Sequence, residues 1–157
     1  MNCLKKSNYV GFLGSLSGKV ATARLLPATD LLDGIEEICR DYGIRYGICW
    51  CHGSLRRMAL YIPGVEGKGV RRYEKHDYGQ VVAATGIICE TPNGEKDIHL
   101  HLAVNDEVLR FTAGHAKKGE TTVGDTMDVV ILEIKGGKMI RKLDKETGEV
   151  EFAPEPE

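Results

Sequence analysis

The sequence is marked first by what it lacks. No apolar run approaches the ~20 residues needed to span a bilayer. Neither charge is in real excess: 21 Lys and Arg face 23 Asp and Glu, a net charge of −2, so the molecule as a whole has no bias toward polyanions. There is no paired cysteine framework. The five cysteines (Cys3, Cys39, Cys49, Cys51, Cys89) are odd in number and mostly set among apolar residues, which reads as reduced, packed thiols in a cytoplasmic protein. No repeat recurs and nothing marks a second domain. Near the N-terminus Lys5-Lys6, an apolar stretch over 9–16 and Ala21-Thr-Ala23 imitate a secretory signal, but Gly11, Gly14, Ser15 and Lys19 break the apolar part. The run Gly14-Ser-Leu-Ser-Gly18-Lys19 also misses a phosphate-binding loop: its glycine spacing is one residue short, and Val20 follows the lysine.

What is present is the composition of an ordinary globular domain, 42% hydrophobic and 28% charged over 157 residues, enough chain to bury a core. The most informative stretch is Asp97-Ile-His-Leu-His-Leu-Ala-Val104. Strict alternation over eight residues predicts a half-buried strand. Ile98, Leu100, Leu102 and Val104 then face the core, and Asp97, His99, His101 and Ala103 the other side. His99 and His101 become same-face neighbours roughly 7 Å apart at the backbone, from a rise of ~3.3 Å per residue. Val108–His115 is a second short strand-like run that delivers His115 to the same place if the two strands pair. Three neutral imidazoles around one point suit a divalent transition metal, zinc first; equally, spacing alone allows surface histidines on a solvated sheet face.

In chain order, Lys19–Leu26 reads as a strand stopped by Pro27. Asp30 then caps a helix whose Leu31, Leu32, Ile35, Ile38, Cys39 and Tyr42 share one face, closed by Gly43. Ile44–Cys51 is a strand running into a turn at His52-Gly53-Ser54-Leu55, after which Arg56–Ile62 starts another. Residues 63–79 read as a loop or irregular hairpin. Val81–Cys89 is a strand interrupted by Gly86, a bulge or close approach, and Pro92-Asn93-Gly94 is a hairpin signal into the histidine strand. Ala116–Gly124 is a polar connection and Met127–Ile134 the final strand. The tail carries a Thr147-Gly148 turn, and its Glu/Pro-rich end predicts no ordered structure. Charge is uneven: residues 53–77 hold six basic residues (Arg56, Arg57, Lys68, Arg71, Arg72, Lys75) against three acids, and residues 144–157 hold six acids against Lys145. The first cluster is either a solvated face or an anion-binding patch.

This ordered set resembles the PPC (plants and prokaryotes conserved) domain. The matching pieces are Arg24-Leu-Leu-Pro, Asp30-Leu-Leu with the amphipathic helix, Gly43-Ile, Gly53-Ser54-Leu55-Arg56, Gly86, His99-Leu-His101 and Gly114-His115. The resemblance covers about residues 19–135 of a single domain spanning 1–157. It implies an α+β fold, a mainly antiparallel sheet with one principal helix, assembled as a homotrimer. It also implies a metal site at His99, His101 and His115, as in single-domain prokaryotic members. The fold is similar as well to that of acetolactate decarboxylase, where a His-x-His pair and a later histidine hold zinc. The AT-hook of the plant proteins is absent, since no Arg-Gly-Arg-Pro core occurs. Nucleic-acid binding is accordingly expected to be weak at most, although a DNA-linked regulatory protein stays open as an alternative, as does a trimer stapled by the metal. Three protein ligands leave a tetrahedral ion one open position, which favours a metal-dependent enzyme or small-molecule binder. Arg56 and Arg57, beside the Gly-Ser-Leu turn, are candidates to hold a substrate carboxylate through the guanidinium fork. His52 and Cys51 flank the same turn, and Glu90 and Glu120 are possible proton carriers.

Overall fold

The computed structural model describes residues 4–5, 10–11, 18–63 and 70–156, with the side chains of 4–5, 10–11, 63 and 70–76 left aside. The signal-like stretch over 9–16, Cys3 and most of the glycine-rich run over 14–19 therefore lie outside the described residues, apart from two dipeptide strands, β1 (Leu4–Lys5) and β2 (Val10–Gly11), which pair with each other. No helix among the described residues is long and apolar enough to cross a membrane.

Among the described residues the chain folds as α+β, with one helix and a large sheet. Strand β3 (Val20–Leu25) ends ahead of Pro27, and α1 (Leu31–Tyr42) starts where Asp30 accepts hydrogen bonds from the amides of Leu32 (3.1 Å) and Asp33 (3.2 Å). Gly43 ends it at φ 62, and the Ile44 amide reaches back to the Cys39 carbonyl at 2.8 Å, the two parts of a left-handed helix cap. Leu31, Leu32, Ile35, Ile38 and Cys39 are buried as the spacing predicts. Tyr42, expected beside them, is 54% exposed, because it is the last helical residue and lies past the packed turns.

The stretch read as strand, turn and second strand is one strand, β4 (Gly47–Pro63), 17 residues long. The Gly53-Ser54-Leu55 segment is an irregularity inside it, where the register shifts against both neighbours. Gly53 sits at φ 153, and a Cβ there would meet the Thr126 carbonyl oxygen at 2.2 Å, so the bulge needs glycine. β5 (Val70–His76) folds back on the far half of β4, the irregular hairpin expected, with residues 64–69 and Lys68 outside the described set.

Length lets β4 serve two partners. Its first half pairs with β6 (Gly79–Glu90) and its far end, at Leu60 and Tyr61, with β8 (Phe111–Ala116). β7 (Lys96–Asn105) lies between β6 and β8 and pairs with both, so the four strands close a ring. The Thr91–Glu95 turn joins β6 to β7 as its Pro-Asn-Gly predicts, with the Gly94 amide on the Thr91 carbonyl at 2.9 Å. Gly86 is a close approach: a Cβ would lie 2.8 Å from the His99 carbonyl oxygen across the β6–β7 pair. β9 (Thr122–Glu133) covers the other edge of β4 and carries β3 beyond it. Leu100, Leu102 and Val104 of β7 join Leu31 and Ile35 of the helix, Leu55 and Met58 of β4, and Met127 and Ile131 of β9 in one core.

β9 is not the last strand. β10 (Lys138–Leu143) and β11 (Val150–Glu155) form a hairpin around the Thr147-Gly148 turn, so the acidic tail is ordered through β11 instead of unstructured. Composition misleads there because β10 supplies what the Glu/Pro segment lacks: Met139 and Ile140 pack with Tyr46 and Cys89, and Ile140 pairs in parallel with Glu90. Cys39, Cys49, Cys51 and Cys89 are buried free thiols. A continuous β4 sets the expectation for Gly53→Ala: a strained φ plus a backbone clash lowers stability by about 3 kcal/mol. Denaturant unfolding checks it, and a loss within about 0.5 kcal/mol, the range of a neutral surface change, contradicts the bulge.

Candidate metal centre

Alternation along β7 does at the site what it does in the core. Leu100, Leu102 and Val104 are buried on one face, which turns Asp97, His99 and His101 to the other. The β7–β8 register sets His101 opposite His115, and the β8–β4 register sets His115 opposite Tyr61. Tyr61 stacks on His115 with ring centroids 5.0 Å apart and 28° between planes, which fixes that imidazole. His99 and His115 stack in turn at 4.7 Å and 15°.

The three side chains converge on one point. His99 Nε2 lies 2.9 Å from His101 Nε2 and 2.9 Å from His115 Nδ1, and one ring nitrogen from each residue falls within 4.8 Å of the others. Neutral imidazoles can share protons across such contacts, or each can turn a lone pair toward a common cation. Ligands on zinc bonds of about 2.0–2.1 Å stand roughly 3.4 Å apart in a tetrahedron, so the close pairs have to widen by about half an ångström and the widest, within 4.8 Å, to close by up to about 1.4 Å, side-chain adjustments an imidazole can make. The donor set fits a divalent transition ion. Burial is the main reason that His99 and His115 are pushed down to about 4; for His99 the Arg141 charge adds to it, and for His115 His101 and Arg141 do. Both rings are therefore uncharged at neutral pH, the form a ligand requires.

His99 and His115 open onto a cleft of about 370 Å³ bounded by Leu32 and Glu36 of the helix, by Tyr61, and by Asp97 and Arg141. It lies where β7 and β8 part, beyond the His101–His115 pair. Arg141 comes from β10; its Nη1 donates to both Asp97 carboxylate oxygens at 3.3 Å and its Nη2 to the Val150 carbonyl at 3.0 Å. The other charges of the cleft are occupied. Lys118 bridges Asp33 and Glu36, Lys117 meets Glu120 at 2.7 Å, and Lys96 reaches Glu90 at 3.8 Å and the Arg45 carbonyl at 2.6 Å.

The remaining sequence candidates go elsewhere. Arg56 and Arg57 are exposed on β4 and do not line the cleft; the turn expected to aim them is a bulge in a continuous strand. His52 is exposed on the same strand and Cys51 is buried in the core. Glu90 is structural. Burial opposes its charge, yet hydrogen bonds from Arg45 (2.9 Å) and Tyr46 (3.1 Å), with the Arg45 and Lys96 charges, outweigh that and hold its carboxyl below the ordinary range. Glu120 pairs with Lys117 and does not line the cleft. Asp97 was legible from alternation, and Tyr61 follows once β8 is paired with β4. Arg141 had no local signal, since only the β10–β6 pairing brings it in.

An α+β ring of strands carrying three convergent histidines on its outer face defines the class. The sequence profile of the Plants and Prokaryotes Conserved (PCC) domain matches residues 14–135, and the chain belongs to that family. A plant- and prokaryote-conserved (PPC) protein of Pyrococcus horikoshii superposes with a TM-score of 0.80 at 21% identity, over 92% of this chain and 97% of that one. A metal-containing protein of Archaeoglobus fulgidus does so with a TM-score of 0.76 at 20% identity, over 87% and 94%. Among curated proteins, the bifunctional protein GlmU of a Synechococcus species is 30% identical over 140 residues, 88% of this chain, while the chain spans only 21% of that protein's length.

The two depressed imidazoles fix a pH dependence. In the unfolded chain they take protons near the ordinary value of about 6.5, but in the fold only near 4. Between those values the unfolded state binds more protons, so the fold loses stability as pH falls through that window and is unaffected above it. With chelator present, the melting temperature should climb from pH 4 to about 6.5 and then level, and His115→Gln should flatten part of the climb. A flat wild-type curve contradicts the buried, neutral pair.

Proposed function

We propose that this protein binds a divalent transition metal, zinc in the first place, through His99, His101 and His115, and presents it to a small anionic molecule in the adjoining cleft. The observation carrying this reading is the convergence of three ring nitrogens within 4.8 Å beside an open cleft. The presence of metal in the A. fulgidus relative supports it. The protein acts as a small metal-dependent enzyme or small-molecule binder, assembled as a homotrimer.

The chain's own residues have defined tasks in it. His99 and His115 stay neutral through burial and so offer lone pairs at physiological pH. Tyr61 holds His115 by stacking, and the stagger of β7 keeps His99 and His101 on one face. With no fourth protein donor among the described residues of the cluster, the bound ion would act as a Lewis acid with a coordination position left for water or an oxygen of the ligand. A cleft of about 370 Å³ has room for a small molecule.

Elemental analysis of protein purified without a histidine tag tests the site. Wild type and His52→Ala should carry near-stoichiometric metal and His101→Ala little, with the fold retained, because Leu100 and Leu102 still fill the core face. Metal kept by His101→Ala sinks the three-histidine assignment; metal lost from His52→Ala means a fourth ligand and a closed, structural site. For the assembly, light scattering at micromolar concentration should give about three times 17.3 kDa, and a monomer persisting at high concentration removes the trimer.

A further inference from the structure

Arg141 stands apart from every other charge at the cleft. Its side chain is 15% exposed, so its cation is largely out of water, where it demands a partner. Charge-assisted hydrogen bonds to carboxylate run about 2.7–2.9 Å; both of its contacts with Asp97 are 3.3 Å, made by Nη1 alone. A guanidinium has five N–H donors in a planar fork, and the fork is not engaged face to face with Asp97. Asp97 precedes His99 by two residues on the same face of β7, so the guanidinium stands one side-chain step from the imidazoles.

From this, and resting on the metal-binding reading above, we infer that Arg141 is the specificity-determining residue of the cleft: it receives the carboxylate of a short organic acid, another oxygen of which would be free to reach a bound metal. The charge inventory selects that class. Lys117 and Lys118 are each paired with an acid of the chain and Lys96 donates to the Arg45 carbonyl at 2.6 Å, so among the described residues the cleft does not offer the surplus of cations that a polyphosphate needs. The fork suits a planar, two-oxygen anion. Distance selects size, because two same-face positions on a strand are only about 7 Å apart at the backbone. Asp97 is the built-in competitor, holding the guanidinium at the cleft wall until a carboxylate replaces its weak contacts.

The test uses the full chain loaded with cobalt, whose visible absorption reports on the coordination sphere, titrated with lactate, with lactamide as its uncharged counterpart, and with inorganic phosphate. Lactate should perturb the spectrum of the wild type, and lactamide and phosphate should do so at least tenfold more weakly, about the loss of one charge-assisted pair. Arg141→Gln should bind cobalt with unchanged stoichiometry and lactate at least about tenfold more weakly, and Arg141→Lys, which keeps the charge without the fork, should fall between. Because Arg141 also holds the Val150 carbonyl, Asp97→Asn gives an independent arm: freeing the guanidinium should tighten lactate. Lactate affinity within twofold of wild type in Arg141→Gln, lactamide or phosphate binding as well as lactate, or no tightening in Asp97→Asn overturns the inference while leaving the metal site intact. A wild type that takes up no cobalt overturns the metal reading itself, and this inference with it.

Discussion

The histidine cluster depends on one register, His101 opposite His115. Side chains alternate strictly along a strand, so a slip of one residue would put imidazoles where Leu100 and Leu102 now lie and leucines at the cleft. Two constraints hold the register. From inside, Leu100, Leu102 and Val104 are essentially inaccessible and packed against helix α1 and strands β4 and β9. From outside, the ring leaves β7 no freedom, because β6 and β8 are both tied to β4, one at each half of that strand. Gly86, against the His99 carbonyl, lets β6 and β7 come close enough for that pairing.

Electrostatics at the cleft follows from the same packing. Removing water disfavours charge on His99 and His115, leaving uncharged bases, whereas at the end of β6, opposite Lys96 of β7, burial is tolerated by Glu90 because Arg45, Tyr46 and Lys96 surround it. The β6–β7 pair thus holds a satisfied ion network at Glu90 and Lys96 and, further along β7 and on β8, a set of lone pairs. Lys96 belongs to both neighbourhoods, lining the cleft while bound to Glu90 and to the Arg45 carbonyl, so the network also stiffens the cleft wall.

What the sequence made legible was whatever rests on neighbours in the chain. Helix α1 has its cap, apolar face and terminal glycine within 14 consecutive positions, and β7 declares itself by alternation, with the Pro-Asn-Gly turn leading in. Both show their buried faces in the sequence, Tyr42 at the helix end excepted, and the three histidines fall together as their spacing suggests. The failures share a cause. Gly53-Ser54 has turn chemistry, and only the partner strands show that the glycine serves a bulge; the candidacy of Arg56 and Arg57 went with that turn. The terminal hairpin has a disordered composition, and its order comes from Tyr46, Cys89 and Glu90, far away in sequence. Arg141 rides on that hairpin, so no window of sequence connects it to His99. Non-local pairing built the cleft, and local reading stops short of it.

The four buried thiols bear on metal selection. Sulfur competes for soft cations as thiolate, and thiolate needs water or a nearby positive charge. Burial pushes Cys39 up to about 11 and Cys89 up to about 12, and its hydrogen bond with Cys49 together with burial raises Cys51. The same hydrogen bond lowers Cys49, but all four sulfurs are buried and so offer an arriving ion no path. Among the described residues, an arriving metal would therefore meet nitrogen before sulfur by access alone, and the same shielding keeps oxidants from the core.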